Sequence, residues 1–226
     1  MVRGEPEREL ARVALQARAE ATRRKIIETA VELFSELGYG ETGLADVLQR
    51  AGVSKGAFYY HFDSKEAVAK AIIVEFDNRA AIAVEENFDP SAPTLGGMIK
   101  ATFAVQGLMH RDPTTRVGQM LSQALGQVSS AGSQVYSGWT GRFVEMINAI
   151  HAAGGIRADV DLLDVAEAIW AGVLGSHLVS AACGDDPYTR LARSWRVLVL
   201  SIAPEDAVGP LHEMLDIVVA DSQAAV

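Results

Sequence analysis

The residues with the clearest chemical use lie between Ser54 and Lys65, in the stretch SKGAFYYHFDSK. It offers hydroxyl, phenol, imidazole and ammonium groups, with the small residues Gly56 and Ala57 among them. Donors of this kind on a short helix suit base edges and phosphates, because the major groove of B-DNA admits one helix. Small residues there permit close approach to the duplex. The pattern predicts that this stretch binds DNA.

Two short helices joined by a tight turn must position these groups. The first is expected to be capped by Thr42 and to end at Gly52, which supplies a left-handed conformation. The second is expected to be capped by Ser54, with Phe58 and Phe62 anchored inward and the polar residues between them facing outward. The apolar residues of the first helix recur at three- and four-residue steps: Leu44, Val47, Leu48 and Ala51. This arrangement is typical of a helix-turn-helix.

The sequence AGVSKGAFYYHFDSKEAV, residues 51–68, resembles the DNA-binding signature of the TetR family of transcriptional regulators. The resemblance covers residues 22–70 closely, with a first helix near Thr22 and a fourth from Ser64. It implies an all-α homodimer. Residues 1–66 would form an N-terminal arm and a three-helix helix-turn-helix domain, and residues 67–226 a larger helical domain for ligand binding and dimerisation.

The same resemblance, carried over by position, implies two sets of DNA contacts. The groove-facing set is Ser54, Lys55, Gly56, Ala57 and Tyr59. The phosphate-binding set is Thr42, Tyr60, His61 and Lys65.

The charge of the chain is unevenly distributed. The formal net charge is -9, yet residues 1–65 carry ten Lys or Arg against ten Asp or Glu, and residues 66–226 carry ten against nineteen. A neutral N-terminal part still meets phosphate through local basic residues, whereas the acidic remainder keeps the chain off bulk nucleic acid. These basic residues are Arg23, Arg24, Lys25, Lys55 and Lys65. We expect binding to depend on a dimer and on fit to a palindromic operator.

Cysteine use and hydropathy bear on the compartment. Cys183 is the sole cysteine, which excludes an intrachain disulfide and is consistent with a reducing cytoplasm; we expect it to be buried as a small apolar residue. The N-terminus mixes Glu and Arg without an apolar core, so no signal peptide is expected. The apolar run 168–183 contains polar residues and is shorter than the roughly 18 residues of a membrane span. We interpret it as a buried helix, with no membrane partner.

Helical periodicity and loop punctuation predict an all-α chain. A first helix ends at Gly38, and its extension upstream from about Glu7 is either helical or a frayed arm whose arginines reach DNA. A long helix from Ser64 to about Asn87 joins the two domains and stops at the loop DPSAP. Further helices are expected near residues 94–110, 113–127, 134–153, 162–183, 188–203 and 206–221. No alternating strand pattern and no internal repeat competes.

Sets of residues for catalysis or metal binding are missing from the sequence. Asp159, Asp161 and Asp164 lack the glycine and distal glutamate of a calcium loop, so a helix cap at Asp161 is expected instead. The five histidines show no HxxxH or HExxH spacing, and no nucleophile elbow or phosphate-binding glycine loop occurs. We expect no catalytic residue, no metal and no cofactor.

The segment from Val135 to Ser180, which contains Trp139, is similar to the corresponding stretch of the gamma-butyrolactone receptors of actinomycetes, a TetR branch. The resemblance implies that Trp139 lines a ligand pocket; a purely structural tryptophan is the alternative. The candidate lining residues are Phe103, Gln106, Met120, Trp139, Trp170, Val173 and Ser176. Because this set is poor in charge, a small, neutral, mostly apolar effector with one or two oxygens fits it. His177 is interpreted either as a ligand contact or as a core histidine.

These patterns favour a ligand-responsive regulator, a repressor in most members of the family, that an effector releases from its operator. Two alternatives stay open, a ligand-independent DNA-binding protein and a helical enzyme with a vestigial DNA-binding domain.

The dimer interface is expected in the apolar run from Ile169 to Cys183 and in a stripe on the next helix. That stripe comprises Leu191, Trp195, Leu198 and Ile202.

Overall fold

The computed structural model describes residues 5–126 and 130–224, and within these ranges the chain forms ten helices and no strand. The all-α prediction is confirmed. The helices are α1 (Glu5–Leu37), α2 (Leu44–Ala51), α3 (Lys55–His61), α4 (Lys65–Glu85), α5 (Leu95–Arg111), α6 (Pro113–Gly126), α7 (Ser130–Ala152), α8 (Leu162–Cys183), α9 (Pro187–Ile202) and α10 (Glu205–Ala224).

Most helix starts follow from local capping. Ser54 Oγ accepts a hydrogen bond from the amide of Ala57 at 3.1 Å, and Ser64 and Asp161 cap α4 and α8 in the same way. Gly52 ends α2 with φ 62°, the left-handed conformation that glycine adopts at least cost. The predicted caps at Ser54 and Asp161, the predicted end at Gly52 and the predicted helix start at Ser64 are confirmed.

The predicted cap at Thr42 is wrong. Gly43 occupies the cap position, and its amide donates to the carboxylate of Asp46 at 2.8 Å. The Thr42 hydroxyl instead donates to the carbonyl of Gly38 at 2.8 Å, and a second carbonyl, that of Leu33, lies 3.3 Å away. Thr42 is 1% exposed, so its hydroxyl closes the turn after α1 and is not available to the next helix.

Two apolar clusters stabilise the fold, and α4 belongs to both. The headpiece cluster packs α1, α2 and α3 against the first half of α4, through Ile72 and Ile73, and against α6, through Leu121. The body cluster contains the second half of α4, from Phe76 onward, and helices α5 and α7 to α10. The boundary proposed near residue 66 therefore lies in the first turn of a helix that is shared by both parts.

Helix α8 is long and apolar enough to cross a membrane by length and composition, as many core helices are. It packs between α7 and α9, with Ile169 and Val173 each 1% exposed. One face of α8 therefore lies in the body core as predicted, whereas its other face, with Leu163, Leu178 and Val179, is exposed, so the helix is not buried as a whole. Cys183 at its end is exposed, so the prediction of a buried cysteine is wrong, because the last turn of α8 extends beyond the body core.

The stripe predicted as a dimer interface lies largely inside the subunit. Leu191, Trp195 and Ile202 are 1–2% exposed and pack in the body cluster, so three of its four residues are not available to a partner. Periodicity identified the apolar face of α9 correctly but not what covers it. The exposed apolar residues of α8 and α9 are Leu163, Leu178, Val179, Val197 and Leu200.

Candidate nucleic-acid interface and small-molecule sites

Helix α3 presents one polar face to solvent. Phe58 is fully buried, whereas Tyr59 is 46% and Tyr60 78% exposed. Lys55 is exposed as well, and its ammonium lies 5.9 Å from the ring centre of Tyr59. A cation over an exposed ring is held only weakly, so both side chains are free to turn toward a ligand. The structure thus brings these predicted contacts onto one surface.

Gly56 and Ala57 are the smallest residues on this surface of α3. A Cβ added at Gly56 would meet only Ser54 Oγ, at 4.0 Å, so packing inside the protein does not require glycine there. The small side chains instead leave the α3 backbone accessible from outside, which is the property needed for close approach to a duplex.

Thr42 and Lys65, which were predicted to hold phosphates, have internal partners. The Lys65 ammonium donates to the carbonyls of Tyr39 and Thr42, each at 2.7 Å, and lies 4.3 Å from the ring centre of Tyr39. The buried hydroxyl of Thr42 has the bonds described above. Both side chains thus fix the turn between α1 and α2 against the start of α4. We interpret them as positioning residues and not as phosphate ligands.

His61 and Tyr60 lie at the end of α3 and face the N-terminal extension of α1. Their rings contact edge to face at 4.9 Å. Together with Ala57 they line one wall of a groove of about 290 Å³, whose other wall is α1 at Leu15 and Arg18. The upstream part of α1 is thus helical and runs beside α3, a choice that the sequence left open.

Basic residues border this surface. The guanidinium of Arg23 stacks 5.2 Å from the ring centre of Phe62. The Lys25 ammonium lies close to Gly52, 3.9 Å from where a Cβ would stand if Gly52 had a side chain. In contrast, Arg50 forms an ion pair with Glu36 at 2.7 Å. The positive field around α3 therefore depends on a few groups, in agreement with the neutral balance of residues 1–65.

Trp139 lies in an aromatic cluster inside the body. It is 2% exposed and stacks on Trp170, with ring centres 5.7 Å apart, and Phe143 packs at 6.1 Å. Its indole Nε1 is buried and has no hydrogen-bond partner among the described residues. Tyr136 packs on Trp170 at 6.3 Å, and burial raises the pKa of its phenol. A buried indole N–H without a partner marks Trp139 as a place where a ligand oxygen would be favourable.

The other predicted ligand residues are spread over several sites. Phe103 stacks on Tyr188 beside a cavity of about 310 Å³, whereas Met120 is 44% exposed and borders another of about 450 Å³. The Ser176 hydroxyl donates to the carbonyl of Gly172 at 2.6 Å, which occupies its one proton. Val173 is buried in the core. The prediction of one pocket lined by all seven residues does not match this distribution, because helices α5, α6 and α8 turn these side chains in different directions.

An apolar groove between α4 and α7 was missed by the sequence analysis. It measures about 370 Å³ and is lined by Val84 and Phe88 on one side and by Met146 on the other. Arg142 also borders it and places its guanidinium 5.4 Å from the ring centre of Trp139. The groove thus lies next to the aromatic cluster and contacts the helix that the headpiece shares.

Burial or a structural partner accounts for the shifted pKa values of two other titratable groups. The pKa of Asp159 is lowered by its hydrogen bonds and ion pair with Arg157, and Asp161 caps α8. Burial lowers the pKa of His177, assisted by the positive charges of Arg116 and His110. Among the described residues no cluster of His, Cys, Asp or Glu could hold a metal ion.

Comparison with known proteins agrees with this geometry. Residues 26–72 match the family described as bacterial regulatory proteins, tetR family. The A-factor receptor protein of Streptomyces griseus is 31% identical over 193 residues, which cover 84% of this chain and 67% of that protein.

Two solved structures have the same fold. A gamma-butyrolactone receptor, described as ArpA-like, has a TM-score of 0.77 at 25% identity and covers 90% of this chain and 99% of its own. CprB from Streptomyces coelicolor, in complex with its operator, has a TM-score of 0.74 at 26% identity with 90% and 99% coverage.

Proposed function

Because the chain belongs to the TetR family of bacterial regulatory proteins, we propose that it is a cytoplasmic homodimeric repressor with no enzymatic activity. It binds a palindromic operator through α3 and leaves it when a small, neutral, mostly apolar effector of the gamma-butyrolactone type binds the body. The observation that carries this proposal is the exposed polar face of α3 on a headpiece packed against a separate helical body.

Base reading is assigned to Lys55 and Tyr59, and phosphate binding to Tyr60 and His61. The first pair is exposed beside Gly56, which has no side chain and therefore lets a duplex approach most closely. The second pair lies at the edge of the same surface of α3, next to the α1 extension. Groups at the centre of a groove-bound helix read bases, whereas groups at its edge meet the backbone.

Effector binding is assigned to the aromatic cluster of Trp139, entered from the α4–α7 groove. The unpartnered indole N–H supplies one donor for a ligand oxygen, and Phe143 and Trp170 supply apolar contact. The groove is mostly apolar, as a neutral ligand with a hydrocarbon part requires. A ligand bound in this groove pushes against α4, whose first half packs in the headpiece cluster.

Dimerisation is assigned to the outer faces of α8 and α9. Val179 is 42% exposed, and Val197 and Leu200 are 65% and 60% exposed. Exposed aliphatic side chains on two adjacent helices are typical of a surface that a partner covers.

One experiment tests the whole proposal. DNA is selected from a random pool by the full-length protein, and the complex is then challenged with a synthetic gamma-butyrolactone that carries an alkyl chain. We expect a two-fold symmetric site and release of the DNA by the lactone, but not by the alkyl chain alone as an alcohol. Selection of no symmetric site would refute operator binding. Release by neither compound, nor by an organic-soluble metabolite fraction, would favour the ligand-independent alternative.

A further inference from the structure

A second cavity, distinct from the Trp139 cluster, lies where the end of α5, the start of α6 and the end of α8 meet. It measures about 450 Å³, which is within the range of small-molecule pockets. Its walls include apolar side chains from all three helices, Met109, Met120 and Leu178. Neither Trp139 nor Trp170 lines it.

Packing does not explain two polar side chains of this cavity: the Ser180 hydroxyl, which is buried without a partner among the described residues, and the amide of Gln119. Gln119 is 1% exposed and lines the cavity, yet neither its amide nitrogen nor its amide oxygen has a partner among the described residues. A buried polar atom without a partner destabilises the fold, and native proteins keep few of them. A buried primary amide of this kind is expected where a ligand supplies an acceptor for its N–H groups and water supplies a donor for its oxygen.

Two further groups around Gln119 define the charge of the cavity. Arg116 lines it, and one of its nitrogens donates to the carbonyl of His110 at 3.1 Å, which orients the guanidinium. His177 Nδ1 accepts from the amide of Gln106 at 3.3 Å, so the ring proton is on Nε2. Because its pKa is lowered by burial and by nearby positive charge, His177 is a neutral donor near pH 7.

One carboxylate also lines the cavity, and it is already neutralised. Both oxygens of Asp185 accept hydrogen bonds from Arg190, and this interaction lowers the pKa of the carboxyl group. Among the described residues Arg116 has no carboxylate partner, so its positive charge remains available in this cavity. A guanidinium next to an amide N–H and an imidazole N–H is a set of donors suited to a carboxylate.

We propose that this cavity binds a small carboxylic acid in its ionised form, with the carboxylate on Arg116 and Gln119 and a short apolar body against Met109, Met120 and Leu178. The site does not depend on the proposed effector site, because the two share no lining residue. A ligand here would be chemically different from the neutral lactone proposed for the Trp139 cluster.

The probe for this proposal is hexanoate, and its neutral control is hexanamide, which has the same chain and no charge. We expect hexanoate to bind the full-length protein near pH 7 with a Kd of about 1 mM or below by calorimetry. Hexanamide should bind at least about tenfold more weakly, since it loses the charge-assisted hydrogen bonds. Equal binding of the two compounds, or no binding of hexanoate at about 10 mM, would overturn the proposal.

Two variants test the assigned residues. Arg116→Gln should weaken hexanoate about tenfold to hundredfold, whereas Arg24→Gln, at an exposed position of α1, should leave it unchanged. Gln119→Leu should raise the melting temperature without ligand, because two unpaired buried atoms are removed, and should weaken hexanoate.

The control for Gln119 is Gln134→Leu, at an exposed position of α7, for which neither effect is expected. Full hexanoate affinity in both the Arg116 and Gln119 variants would refute the site. Trp139→Phe should bind hexanoate normally. Failure of lactone release and failure of carboxylate binding are thereby distinguished.

Discussion

Gly118 is the residue at which the contact between α4 and α6 can be tested most directly. A Cβ at this position would overlap Cβ of Phe76 and lie 3.0 Å from the carbonyl oxygen of Ile72 and 3.3 Å from Cγ of Phe76. Two of these atoms are backbone or close to it, so they cannot turn aside as the end of a flexible chain would. Gly118→Ala must therefore move α4 away from α6.

The expected cost follows from overpacking. One extra methyl group in a packed contact typically costs about 1–3 kcal/mol, although alanine gains up to about 1 kcal/mol of helix propensity over glycine. A net destabilisation of about 1–2 kcal/mol lowers the melting temperature of a chain of this size by roughly 2–8 °C. Because the first half of α4 belongs to the headpiece cluster, operator affinity should also fall.

The matched control is Gly141→Ala, since Gly141 lies within α7 and a Cβ there meets nothing within 4 Å. This variant should be as stable as the wild type or slightly more stable, with unchanged operator affinity. Calorimetric melting and fluorescence-anisotropy titration of a labelled operator measure both quantities. A Gly118→Ala protein with unchanged melting temperature and affinity would show that the contact does not position α4.

Four other variants test the remaining assignments. Lys55→Ala should weaken the operator by about 1–3 kcal/mol and relax base preference in a binding selection; retained selectivity would contradict its place in the groove. Lys65→Met should lower the melting temperature, since two carbonyls lose a charged donor, but leave the salt dependence of binding unchanged; a phosphate ligand would lower the salt slope by about 0.9 per contact. Trp139→Ala should reduce lactone binding by roughly 2–4 kcal/mol in a release assay while the operator is still bound; because the side chain is 2% exposed, the melting temperature should fall under either reading, so a normal lactone response would identify a purely structural tryptophan. Val197→Glu should give monomers in sedimentation that do not bind the operator, and an unchanged dimer would exclude the outer face of α9.

Local signals in the sequence predicted the helices well because the atoms that decide them are close in the chain. Ser54, Ser64 and Asp161 cap helices through amides two or three residues away, and Gly52 adopts its conformation by itself. Thr42 failed as a cap because the carbonyl of Gly38, presented by the end of α1, competes for its hydroxyl. That competitor depends on how the turn folds, which periodicity does not encode.

The candidate ligand site could be predicted only in part, for a related reason. Trp139 and Trp170 do meet, but Met120 and Phe103 border separate cavities. A sequence pattern tells which face of a helix is apolar; it does not give the rotation of that helix against its neighbours. The same limit explains the apolar stripe with Trp195, which fills the core of its own subunit.

The geometry of α4 shows how a small change in the body can control DNA binding in the proposed dimer. Its 21 residues span about 31 Å, so a tilt of about 6° about the body end moves the headpiece end by roughly 3 Å. Two opposed shifts change the separation of the recognition helices by about 6 Å, against the 34–36 Å between successive major grooves. The Lys65 contacts tie the α1–α2 turn to this moving end, so the headpiece follows as one body. A ligand between α4 and α7 needs to displace only the C-terminal half of α4 to move α3 out of register with the major groove.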